Sequence, residues 1–299
     1  MKKFFYDISK KTLAAALGLL LVVPFFSACN PSGEDLMDVD ASPHKQETPS
    51  VQQTEPTDSP GASPSATPAE TAGGTDQPAT QTNVSPLPVE GTASPYAGEK
   101  LVALTFDDGP YKNVTPRILD VVEQYADQGV HVTFFVLGLQ VVQYPELVTR
   151  AHKLGCEIGN HTYHHAKLTK LTPEEMHKEV FDVVEMIEEL TGKKPALVRP
   201  PYGAKDENVY QNVPFPLIMW DIDTLDWQTH DTASTVEAAI KAEDGDIILM
   251  HDVREDTAAA VEQIIPQLLN QGFKLVTVSE MFAAKGIPLE AGKQYRRAR

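Results

Sequence analysis

The chain has 299 residues, 41% of them hydrophobic, and a formal net charge of −17. That length holds one large domain or two small ones. The acidity excludes the basic footprint on which nucleic-acid binding depends.

The first stretch, residues 1–28, reads as a targeting segment rather than part of a fold. Lys2, Lys3, Lys10 and Lys11 make a basic start, and the apolar run from Leu13 to Phe26 is short for a membrane span. The following Phe26-Ser27-Ala28-Cys29 resembles a bacterial lipoprotein signal. That resemblance implies lipidation at Cys29 and a chain anchored at the outer face of the cytoplasmic membrane, within the cell wall. The only other cysteine is Cys156, so with Cys29 acylated no disulfide is available. Residues 29–98 carry a single basic residue, Lys45, against ten acids, and are rich in Pro, Ser, Thr, Ala and Gln. Such a composition buries too little apolar surface to offset the entropy of ordering, so a disordered, extended linker is expected.

From Leu101 onwards apolar runs alternate with helical patterns. Leu101–Leu104 predicts a buried strand, Val114–Gln128 a helix, Val130–Val136 a strand and Val148–Leu154 a helix. Cys156–Gly159 predicts a short strand and Thr172–Leu190 a long amphipathic helix with Pro173 and acids in its first turn. Further strands are expected at Ala196–Val198, Pro216–Ile222, Ile247–Met250 and Lys274–Val278. Helices are expected at Thr257–Leu269 and from Ser279. Alternating β and α elements imply a parallel sheet covered by helices. About seven strands fit a small (β/α) barrel, deformed or incomplete; a doubly wound open sheet is the alternative. The tail, Gly286–Arg299, is expected to be flexible and basic.

Each polar cluster follows an apolar run. Asp107-Asp108 follow Leu101–Leu104, His161 follows Ile158, Arg199 follows Leu197-Val198, Asp223 and Asp226 follow Leu217–Ile222, and His251 follows Ile247–Met250. In a barrel, C-terminal strand ends gather at one mouth, where active sites lie. Two adjacent acids disfavour double ionisation unless a positive group is near. His161 and His165, four apart, share a face of a helical turn. Two imidazoles and one carboxylate form a three-ligand metal set with room for water, and other first-row ions suit it as well as zinc. His164, between them, is expected at the surface.

Thr105–Pro110, His161–His165, Arg199-Pro200-Pro201-Tyr202-Gly203, Asp223-Thr224-Leu225-Asp226-Trp227 and Leu249-Met250-His251 resemble, in order, the five motifs of polysaccharide deacetylases (the NodB homology domain, carbohydrate esterase family 4). The resemblance covers about residues 99–285. It implies a deformed barrel and metal-dependent removal of N-acetyl groups from amino sugars, a hydrolysis of linear amides. By position, Asp108, His161 and His165 would hold the divalent ion, zinc first, with cobalt, nickel or manganese as alternatives. Asp107 would be the general base with Arg199 against it, and His251 the general acid tethered by Asp226. The Tyr202 backbone N–H would face the oxyanion. Trp227 and Leu249 would floor the substrate site, and Thr162 would hydrogen-bond near the ligand turn. Between Gly203 and Trp220 the chain is short for the family, and Pro214 and Pro216 are expected to reduce a helix there to a turn.

The expected substrate is an acetylated amino-sugar polysaccharide, cell-wall peptidoglycan first, with chitin oligomers or acetyl xylan as alternatives. The expected protein is a monomer, without nucleic acid. A catalytically dead wall-binding lipoprotein is the reading from another class; the intact set of ligand and base positions argues against it. A solute-binding lipoprotein would need neither the paired acids nor the spaced histidines.

Overall fold

The computed structural model describes residues 94–299. The expected signal segment 1–28, Cys29 and nearly all of the 29–98 linker lie outside the described residues.

The centre is β1 (Lys100–Asp107), buried from Leu101 to Asp107. A strand buried on both faces reads as a continuous apolar run, as parallel sheets under helices do. Its parallel neighbours are β2 (Thr133–Val136) and β6 (Asp246–His251). Next to β2 lies β3 (Glu157–Asn160). Single parallel bridges then link Asn160 to Val198 and Val198 to Leu217 of β4 (Leu217–Ile218). The chain runs on through Met219–Asp221 into β5 (Ile222–Asp223), which pairs with β6 and closes the circuit. The first residues of β1 pair with β7 (Phe273–Leu275) and the last three with β2, so two strands share one edge and the ring is splayed there. This is a deformed (β/α) barrel.

Alternation along β1 assigns its two faces. Val102, Leu104 and Phe106 join the outer core beneath the helices. Leu101 and Ala103 join the inner core with Phe135, Leu197, Ile218 and Ile247. Thr105 and Asp107 fall on the inner face, so the first acid of the pair enters the barrel mouth. The outer layer includes α1 (Thr115–Gln124), α2 (Gly138–Gln143), α3 (Pro145–Lys153) and α4 (Pro173–Thr191). It continues with α5 (Glu207–Asn212), α6 (Asp226–Thr229), α7 (Thr232–Ala239), α8 (Glu255–Asn270) and α9 (Val278–Ala284). Thr172 with Glu175 closes a capping box on α4, and Thr277 with Glu280 does so on α9.

Several expectations change in detail. The strand at Pro216–Ile222 is two short ones, because the chain swings from Val198 towards β6 across the barrel. The strand at Ala196–Val198 is reduced to the bridges of Val198. The first helix stops at Gln124, with a separate 3-10 turn at Ala126–Gln128 ended by left-handed Gly129. α2, α6 and α7 were not anticipated. α5 survives as a short helix: Asp206 caps it by accepting from Val209 N at 3.0 Å, and it ends before Pro214.

The tail is a correction. Residues 286–299 are docked, not free. β8 (Gln294–Tyr295) pairs with β4. Ala298 is fully buried and donates its N–H to Gly245 O at 2.8 Å. Arg299 pairs with Glu243 and Asp246, and Arg296 and Arg297 with Asp221. The basic residues neutralise an acidic cluster that folding assembles from separate segments. Gly245, at φ +87°, accepts this packing because a Cβ there would lie 2.5 Å from Ala298 O. Gly245→Ala should therefore cost more than the ~1–2 kcal/mol of left-handed strain alone. Gly272→Ala, at φ +83° with open space around it, should cost only that strain. Thermal melts of the two variants test this; equal losses would contradict the docking.

Candidate functional site

Asp107, Asp108, His161, His165, Tyr202, Asp223, Trp227, Leu249 and His251 line one cavity of about 590 Å³ at the C-terminal ends of the strands. Arg199 and Asp226 stand behind its wall, each fully buried.

Asp107 and Asp108 would face opposite ways on a continuing strand. Asp108 instead takes φ +75°, which ends the pleat and turns the second acid to the same mouth. Gly109 follows because a Cβ there would strike the Asp252 carboxylate at 2.1 Å. Asp108 Oδ1 lies 3.5 Å from His161 Nε2 and 3.4 Å from His165 Nε2. The three potential ligand atoms lie within 4.8 Å of one another. His161 Nδ1 donates to Arg199 O at 2.6 Å, leaving Nε2 as the lone-pair nitrogen. Burial, then the charge of His161, holds the His165 pKa below its ordinary value and favours the neutral ring. Asp108 Oδ1 is buried with no hydrogen-bond partner. An orphaned carboxylate oxygen and two imidazole nitrogens are a donor set that fits a divalent cation. His164 lies outside it, exposed and 2.7 Å from Glu179.

Arg199 uses four of its five donors. Nη1 donates to Asp107 Oδ1 at 2.7 Å and Thr105 Oγ1 at 2.8 Å, Nε to Ile218 O at 3.0 Å and Nη2 to Met219 O at 3.2 Å. Its guanidinium sits 4.1 Å from the Phe135 ring centroid. Asp107 Oδ2 has only the 3.7 Å approach of His161 Nε2.

On the opposite wall, Asp226 Oδ1 accepts from His251 Nδ1 at 2.8 Å and Trp227 N at 2.9 Å. Its Oδ2 accepts from His251 N at 2.8 Å and Thr257 Oγ1 at 2.6 Å. Burial raises the Asp226 pKa, but these bonds outweigh it and the net shift is down. For His251 burial acts against the charge, yet the bond to Asp226, that carboxylate's charge and the charges of Asp107 and Asp108 raise its pKa to about 9. The imidazole is thus protonated near neutrality, with Nε2 left for the cavity.

Tyr202 is held at φ +60°, and its N–H finds no protein acceptor among the described residues. Its ring stands against that of His165, centroids 4.6 Å apart, and is exposed, as is Trp227. Asp223 caps a turn through Leu225 N at 2.9 Å. Thr162 departs from expectation: its backbone N–H bonds to Asn160 Oδ1, while its hydroxyl is buried without a partner. Thr257, Trp220, Val253 and Arg254 belong to the site or its support and carried no sequence signal, since each is recruited by tertiary contact alone.

The polysaccharide deacetylase family model matches residues 95–214. The peptidoglycan-N-acetylmuramic acid deacetylase PdaC of Bacillus subtilis is 40% identical over 200 residues, 67% of this chain and 42% of that protein, so this chain spans less than half of it. A peptidoglycan-N-acetylglucosamine deacetylase of Bacillus cereus is 38% identical over 199 residues, 62% of this chain and 90% of that protein. The family 4 acetyl xylan esterase of Clostridium thermocellum, solved with a cobalt ion, superposes with TM-score 0.63 at 32% identity over 66% of this chain and 98% of its own. With this fold, this cavity and two relatives matched over 90% and 98% of their own length, the chain belongs to the polysaccharide deacetylase family.

Proposed function

We propose that this protein hydrolyses N-acetyl groups on amino sugars of cell-wall peptidoglycan with the help of a divalent ion. The observation that carries the reading is the convergence of four strand ends and the segment after the Val198 bridge on one cavity, with an acid pair, two spaced imidazoles and a protonated imidazole lining it.

Asp108, His161 and His165 would hold the ion, zinc first, with cobalt, nickel or manganese suited to the same donors. When bound, such an ion lowers the pKa of a water and polarises the acetamide carbonyl. Asp107 takes the proton from the attacking water. Its Oδ1 is committed to Arg199 and its Oδ2 is open, whereas both oxygens of Asp226 are filled, so of these two buried acids Asp107 is the one free to act as base. The Tyr202 N–H faces the carbonyl oxygen as negative charge develops there. His251, protonated and oriented by Asp226, gives its proton to the sugar nitrogen as the C–N bond breaks. The products are acetate and a free amine. Trp227 and Leu249 supply apolar surface for the acetyl methyl and the sugar face. The chain would work as an exported lipoprotein, lipidated at Cys29 and held from the membrane by residues 29–98. The basic start, the apolar run and the small residues before Cys29 support this.

Acetate release from peptidoglycan, chitin oligomers and acetyl xylan, with chelator and after re-addition of zinc or cobalt, tests the reaction. Peptidoglycan should be turned over, chelator should abolish turnover and metal should restore it. Asp107→Asn should lower kcat by about 10²–10⁴-fold, the usual worth of a general base, while metal analysis finds the ion still bound. Loss of the ion from that variant would overturn the division of labour between the acids. Stability should follow His251 in chelated protein. The folded state binds this proton more tightly than the unfolded state does, so the stabilisation is complete below pH 6.5 and is lost as pH rises through about 9. Melts from pH 6 to 10 should show that loss in the wild type and less of it in His251→Gln. Growth with labelled palmitate should label the wild type and not Cys29→Ala.

A further inference from the structure

Arg254 lines the same cavity, three residues beyond His251, and has no part in the chemistry above. None of its guanidinium nitrogens donates a hydrogen bond among the described residues. Each of the other six arginines there donates at least one. Its closest carboxylate contact is at the Nε edge, 3.3 Å from Asp256 Oδ1, and Nε is buried without a hydrogen-bond partner. The two terminal nitrogens are absent from the buried unpartnered atoms, so they face solvent and keep their donors free for a ligand's acceptors. The other charged groups of the cavity include three carboxylates, Asp107, Asp108 and Asp223. Away from the three residues that would hold the ion, the positively charged groups on the cavity lining are His251 and Arg254.

We propose that Arg254 recognises a carboxylate on the substrate and makes this cleft selective for acidic N-acetyl amino sugars. A guanidinium fork matches a carboxylate in two parallel bonds, which a point charge does not. Arg254 shares one cavity with His251, the residue that would meet the acetamido nitrogen. The substituent we assign to it is therefore one near that nitrogen on the ring, such as one on the adjacent oxygen. In peptidoglycan every second sugar carries a lactyl ether there, whereas N-acetylglucosamine carries a hydroxyl. The lactyl group offers its own carboxylate when the peptide stem is absent, and the stem's carboxylates when it is present. The inference rests on the hydrolytic reading for its substrate, but its recognition step is measurable by binding alone.

The test compares three glycans: N-acetylglucosamine oligomers, peptidoglycan strands stripped of stems, and strands with stems attached. Binding is measured by calorimetry and acetate release in parallel, for the wild type, Arg254→Gln and Arg254→Lys, each first shown by melting to be folded. The wild type should favour a carboxylate-bearing glycan by about tenfold or more, equivalent to ~1.4 kcal/mol. The preference should appear in KM and Kd rather than kcat. It should vanish in Arg254→Gln and survive in part in Arg254→Lys. Preference for stripped strands assigns the lactyl carboxylate, and preference for stem-bearing strands alone assigns a stem carboxylate. Equal binding of all three glycans by the wild type, or the same preference in Arg254→Gln, overturns the proposal. Selective binding without acetate release from any glycan would leave recognition standing and remove the hydrolytic reading. Acetate release without selectivity would do the reverse.

Discussion

The structure depends most on one buried charge. Arg199 has no solvent-exposed surface, and an unpaired guanidinium there would carry a desolvation cost of several kcal/mol. Its donors are met by Asp107, Thr105, Ile218 O and Met219 O, with Phe135 beneath. Those groups come from β1, β2 and the β4–β5 segment, and Arg199 itself follows the bridge residue Val198. Four separate parts of the barrel are therefore registered against one side chain. Its own carbonyl then fixes His161. Asp107 and one potential metal ligand are positioned by the same residue, from opposite ends of it.

Around that anchor the backbone is strained in a concentrated way. Asp108, Thr162, His165, Tyr202 and Leu225 all adopt positive φ without being glycine. Each such residue costs about 1–3 kcal/mol, and four of the five are cavity residues or neighbours of one. The strain has a geometric use at two of them. At Asp108 it turns the second acid to the face of the first, and at Tyr202 it releases an N–H from the backbone network. A chain selected only for stability would place glycine at these turns. Here side chains are needed at the same positions, so the surrounding hydrogen bonds must hold them.

Much of this was legible beforehand, for a definite reason. In a parallel barrel a polar residue just after an apolar run lies at one mouth, so Asp107, His161, Arg199, Asp226 and His251 could be grouped from phase alone. Illegible were the contacts that depend on distant segments. Thr257 reaches Asp226 from α8, and Thr105 lends an acceptor to Arg199 while itself donating to Ile248 O at 2.6 Å. The α6–α7 region shows no strong 3.6-residue pattern, although Asp231 caps α7 through Ser234 N at 2.7 Å and was a usable start signal. The tail misled because its arginines looked solvated. Their partners Asp221, Glu243 and Asp246 are scattered in sequence and adjacent only after folding.

That tail ties the end of the chain to the reaction centre. Met219 N donates to Tyr295 O at 2.7 Å and Trp220 O accepts from Arg296 Nε at 3.2 Å. On its other side Met219 O accepts from Arg199. The segment between β4 and β5 is thus bonded along one edge by residues 295–296 and along the other by the arginine bonded to Asp107. It joins two strands whose ladders are only two residues long. Bracing it from outside supplies the rigidity that the short ladders lack. Positional error at Met219 would pass to Arg199 and then to Asp107 within two hydrogen bonds. The docked tail therefore acts as a structural brace on the site although none of its side chains enters the cavity.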